Sequence, residues 1–120
     1  MPPLTDPERL AAYRDALGNW KYDGFIQFEL TDQSLQWIRQ ELKEVLLKEI
    51  GRLMHEYVVS GGIIDEVPEK REDWSEQHEF HHDLRFTIEG KSTYIETRLN
   101  YRLPIVRDES WILVVNIHAP

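Results

Sequence analysis

Residues 78–102 read HEFHHDLRFTIEGKSTYIETRLNYR, and this stretch decides the fold. Two alternating runs, 78–88 and 91–102, flank Glu89-Gly90. A two-residue loop with glycine second is the signature of a tight β-hairpin. The hairpin then pairs residues whose numbers add to 179. One face carries Phe86/Thr93, Leu84/Ile95, His82/Thr97, Phe80/Leu99 and His78/Tyr101. The other carries Arg85/Tyr94, Asp83/Glu96, His81/Arg98 and Glu79/Asn100. A slip of one residue would exchange both faces, so the segregation of apolar from charged residues itself fixes the register.

The rest of the chain supplies what the apolar face needs. Thr31 or Asp32 caps a long amphipathic helix expected over about Gln33–Val59, with Leu35, Ile38, Leu42, Val45, Leu46, Ile50, Leu53 and Tyr57 in one stripe. At ~1.5 Å per residue such a helix is roughly 40 Å long and outruns its sheet. A short N-terminal helix is expected after Asp6-Pro7, with Leu10, Tyr13 and Leu17 inward and Gly18 as its stop. Residues 25–30 alternate as a strand or extended lead-in. Residues 111–117 are apolar on both sides and read as a central strand, with Trp111, Leu113, Val115 and Ile117 facing one way. Residues 65–79, with 7 acidic and 2 basic side chains, read as a solvated connector after a short strand at Ile63-Ile64. The expectation is one α+β domain over residues 1–120: a long and a short helix on one face of an antiparallel sheet of about four strands.

Composition narrows the function classes. The 120 residues carry a net charge of −8, with −3 in residues 1–60 and −5 in 61–120. Nucleic-acid and anionic-membrane binding both rest on Lys and Arg, so both are disfavoured, and a neutral or basic partner surface is favoured. The absence of cysteine excludes disulfides, thiolate catalysis and cysteine-ligated metals. No charged leader with an apolar run opens the sequence, which makes the cytoplasm the expected address. No glycine-rich phosphate loop or nucleophile elbow calls for a cofactor.

Chemistry-bearing residues concentrate on the polar hairpin face. His81, Arg85, Glu96 and Arg98, extended by His118 and Asn116 of the last strand, form a candidate catalytic group: a histidine base, arginines for an anion and a carboxylate to orient the base. The alternative is a solvated face of weak surface ion pairs. A metal reading of residues 78–83 fails on strand spacing, since His78 and His82 lie roughly 13 Å apart. It leaves only His81, Asp83 and Glu96 as a weak oxygen-rich set. His82, on the apolar face, needs a partner, and Glu49 at the edge of the helical stripe is the expected one. Trp37 falls on the helix side opposite the stripe, where it marks an oligomer or partner interface or is covered by the N-terminal helix.

From Tyr22 through His118 the order of elements resembles the small bacterial RNA-cleaving toxins of the RelE and MqsR type, which are usually basic. That resemblance implies a ribonuclease, with His81, Arg85, Arg98 and His118 as the RNA-facing residues picked by register and chemistry. The competing expectation is a non-enzymatic interaction or regulatory module acting as a homo-oligomer through the long helix, Trp37 and a sheet edge.

Overall fold

The computed structural model describes residues 2–71 and 78–120. Helix α1 spans Pro7–Gly18. Asp6 caps it by accepting the Arg9 N–H at 2.9 Å, and Pro7 occupies the first turn, where no donor is needed. Its buried face is Ala12, Tyr13, Ala16 and Leu17.

Strand β1 (Ile26–Phe28) leads into α2 (Asp32–Glu41) and α3 (Leu47–Val59). The single helix expected over Gln33–Val59 is therefore two. Nothing in residues 33–50 demands a break, since neither Gly nor Pro occurs there. The cause is tertiary. Helix α2 packs on the last strand, whereas α3 packs on α1 and on the hairpin. One straight rod cannot follow both directions. The chain turns where Leu42 can enter the core, at 2% exposure, and Leu46 is left outside at 68%. The break also rotates the buried stripe to Ser34 and Ile38 in α2 and to Ile50, Gly51, Met54 and Val58 in α3. Trp37 flanks the Ser34/Ile38 face, so it is half-buried against the core rather than standing free opposite it. Gly51 lets α3 approach β1 closely: a Cβ there would lie 3.3 Å from Ile26 Cδ1.

The sheet has five strands, one more than expected, and is mixed. With β2 (Asp65–Pro68), β3 (Phe80–Ile88), β4 (Lys91–Asn100) and β5 (Trp111–His118), its order is β1-β5-β4-β3-β2. Strand β1 runs parallel to β5, and the other neighbours are antiparallel. The hairpin register is the expected one: every pair from His82↔Thr97 to Ile88↔Lys91 adds to 179. The two-residue loop has positive φ at both positions, Glu89 at 50° and Gly90 at 76°, which matches the twist of the flanking strands.

Strand β2 corrects the reading of the acidic connector as a solvated loop. Asp65–Pro68 pair with Phe80–Asp83, and Pro68 is tolerated because β2 lies at the edge of the sheet. The N-terminal segment covers part of that edge, with Leu4 N–H bonded to Ile64 O and Glu66 N–H to Pro2 O. Residues 72–77 of the connector lie outside the described residues.

Strand β5 is central, as expected, but its strict alternation fails. The pairing with β4 shifts between Glu96 and Thr97, which leaves Val115 as an extra residue. Ile112, Val114 and Ile117 therefore share the core face, whereas Leu113 lies opposite Arg98 on the other. Ser34 ties α2 to this irregularity: its Oγ accepts the Ile117 N–H at 2.9 Å.

A glutamate in the left-handed region is strained by about 1 kcal/mol, and asparagine tolerates that conformation better. Glu89→Asn is expected to raise the thermal midpoint slightly and Glu89→Val to lower it, both read by thermal unfolding.

Candidate functional site

The hairpin face away from the helices is not the solvated surface that alternation suggests. Asp83, Thr97 and Arg98 each have 0% exposure and Glu96 has 7%. Of these, Asp83, Glu96 and Arg98 belong to the polar face. The chain leaving β2 crosses over them. Glu69, with a side chain 1% exposed, reaches Arg98 at 2.6 Å, and Glu96 reaches the same guanidinium at 2.8 Å. Arg71 closes the group by pairing with Glu96 and, at 3.6 Å, with Glu69. The like charges Asp83 and Glu96 do sit opposite one another, and these cations offset them. Burial works against the charged form of Glu96, but Arg98 and Arg71 outweigh it and hold its carboxyl below the ordinary range.

Beside this network stands a histidine–carboxylate pair. His81 Nδ1 lies 2.8 Å from Asp83 Oδ1. A carboxylate accepts, so Nδ1 carries the proton, and in the neutral ring Nε2 is the acceptor. Burial, with Asp83 and Glu96 close by, holds the Tyr94 hydroxyl above the usual phenol value. Arg85 bonds Asp65 at 2.5 Å and lies 4.9 Å over the Tyr94 ring, whose centroid is 5.1 Å from that of exposed His118. Five expected site residues therefore occupy one sheet face. They do not converge on one point: Arg98 is closed in, Arg85 is turned toward β2, and His118 stands at the sheet's far end. Asn116 does extend the group, reaching Glu96 at 3.4 Å.

The weak metal set does not assemble. Asp83 orients His81 and Glu96 is held by two arginines, and among the described residues no three His, Asp or Glu side chains are placed to share an ion.

His82 corrects a second expectation. Its partner is Glu66 of β2, not Glu49: Nε2 lies 3.1 Å from Glu66 Oε2. Cross-strand pairing puts Glu66 directly beside His82, whereas the break after α2 re-aims the helix that carries Glu49. Arg9 of α1 grips the same carboxylate through Nε at 3.0 Å and a terminal nitrogen at 2.8 Å. Tyr13 completes the contact, its ring 5.6 Å from His82 and its hydroxyl 2.8 Å from Thr97 Oγ1. Burial holds His82 below the usual histidine range, against the pull of Glu66. Burial would raise the Glu66 carboxyl, but its bonds to Arg9 and His82 hold it low.

Sequence reasoning missed Arg9, Glu66, Glu69 and Arg71. The one signal available was Glu66-Val67-Pro68, short and alternating, which reads as an edge strand once it is not absorbed into the acidic connector.

Arg98→Met strands two buried carboxylates and is expected to cost about 3–5 kcal/mol in denaturant unfolding. On acidification, stability should fall first below about pH 6.5, where the unfolded chain's His82 takes up a proton that the folded chain resists. It should fall again below about pH 4.3, as the Glu66 and Glu96 carboxylates are neutralised. Glu66→Gln should shrink the second phase to the share that Glu96 carries, and Glu49→Gln, which does not meet His82, should leave the first phase in place. Function has to be read from this geometry, because comparison with protein-family models, curated proteins and solved structures gives no match.

Proposed function

We propose that the chain is a cytoplasmic, non-catalytic interaction or regulatory module that works as a homo-oligomer. The carrying observation is the closure of the polar hairpin face. Arg98 and Arg71 are held by Glu69 and Glu96, and Arg85 is held by Asp65. An anionic substrate would have to break these pairs in a chain of net charge −8. Among the described residues, His81, Arg85, Arg98 and His118 line none of three surface clefts of about 590, 690 and 180 Å³.

A different surface suits a second copy of the chain. Tyr22, 65% exposed, lines a cleft of about 180 Å³ with Trp20, Ile26, Phe28 and Lys48, and Leu46 and Leu47, 68% and 37% exposed, directly precede Lys48 in the chain. The local charges are Lys21, Lys43 and Lys48 against Asp23, Glu44 and Glu49, a net of zero in a strongly acidic chain. Like-charge repulsion between copies is therefore weakest here. This patch supports the interface reading better than Trp37, which is half-buried against the core. Among the described residues no helix is long and apolar enough to cross a membrane.

One feature favours a second reading, the ribonuclease of RelE and MqsR type: the His81–Asp83 pair is the geometry of an oriented general base. Two measurements separate the readings. Mass by light scattering should exceed that of the monomer, fall to monomer in Tyr22→Ser/Leu46→Ser and be kept in Trp37→Ala. A monomeric wild type would overturn the oligomer. RNA incubated with the wild type should stay intact. Cleavage abolished by His81→Ala would replace the first reading with the second.

A further inference from the structure

The start of β3, the end of β4 and the start of β5 meet beside α1 around a cleft of about 590 Å³. That is within the roughly 300–1,000 Å³ range of small-ligand sites. Three aromatic side chains from separate segments, Phe80, Tyr101 and Trp111, line it together with Leu99. All three aromatics are only partly buried, so ring surface remains available in the cleft. Such surface is what a flat ring stacks on.

Its cations are already paired. Arg9 lies 4.9 Å over the Phe80 ring and is locked by two bonds to Glu66. Arg102 pairs with Glu109 at 3.0 Å. His82 is 2% exposed, and burial favours its neutral form. Glu79 also lines the cleft and adds negative charge, so with Arg9 and Arg102 already paired a phosphate or carboxylate is disfavoured as the occupant. One polar edge remains: His78 and Asn100 bond each other at 2.8 Å at the wall, whereas the Tyr101 hydroxyl bonds to none of the described residues. It is a donor and acceptor that an occupant can use.

We propose that this cleft binds an uncharged, flat heteroaromatic molecule with a hydrogen-bonding edge, of the nucleoside class. Phe80, Tyr101 and Trp111 stack on the ring, and the Tyr101 hydroxyl reads its edge. The site shares no residue with the Tyr22/Leu46/Leu47 surface, so it stands or falls independently of the oligomer.

The test is calorimetric titration of the full chain with adenosine and guanosine, beside adenosine monophosphate and indole. At least one nucleoside should bind at micromolar to millimolar concentration. Trp111→Leu should weaken it by about tenfold or more. Tyr101→Phe, which keeps the ring and the fold, should weaken it by about threefold to tenfold. Tyr22→Ser should leave it unchanged. No binding of either nucleoside to the folded wild type overturns the proposal. Tighter binding of the monophosphate overturns the uncharged class, and equally tight indole overturns the role of a hydrogen-bonding edge. Unchanged affinity in folded Tyr101→Phe and Trp111→Leu overturns the location.

Discussion

Arg98 has no exposed surface, and its environment organises the polar side of the molecule. A guanidinium cannot be deprotonated to escape the cost of burial, so it has to be met by carboxylates. Glu96 is supplied by the same strand two residues away, but one neighbour does not suffice. Glu69 is drawn in from the chain beyond β2, and Arg71 follows to balance the second carboxylate. This requirement explains why Glu69 and Arg71 lie against a sheet face instead of running through solvent. It also explains why β2 lies along β3: the chain must reach Arg98 from that edge.

The same register that buries Arg98 on one side places Leu84, Ile95, Leu99 and Ile112 on the other, where three helices cover them. The two sides are held by different physics. The helix side is held by apolar area and by a few buried hydrogen bonds, such as Tyr13 to Thr97 and Ser34 to the Ile117 amide. The connector side is held by charge compensation, which is costly to break and adds little area. Arg9, Glu66 and His82 form a polar joint on the helix side. They link α1, β2 and β3 through one carboxylate, so the N-terminal helix and the edge strand are fixed to the hairpin together.

Closure of this kind bears on function. A site for acid–base chemistry needs polar groups that are oriented yet still free to meet a substrate. The face carrying His81 is well oriented, but its cations are already satisfied. The features left open are an aromatic-lined cleft at one end of the sheet and an apolar patch beside β1. Both suit recognition better than turnover.

Much of the fold was legible locally. The Glu89-Gly90 turn with period-two alternation fixed the hairpin register, Asp6-Pro7 fixed the start of the first helix, and the apolar run at 111–117 marked a central strand. These signals are short-range, since each depends on backbone sterics or on side-chain period within a few residues. His81, Asp83, Arg85, Glu96 and Arg98 could be assigned to one face for the same reason. Only the tertiary structure decided the rest. The break between Glu41 and Leu47 answers to where α2 and α3 must pack, and no residue there forbids a helix. The bulge at Val115 reconciles β5 with two neighbours, one parallel and one antiparallel. The burial of Arg98 and the choice of Glu66 over Glu49 as partner to His82 depend on contacts between residues far apart in the chain. Sequence alone specified which hairpin side chains share a face. What covers that face, and so whether its charges meet water or each other, was settled by packing at long range.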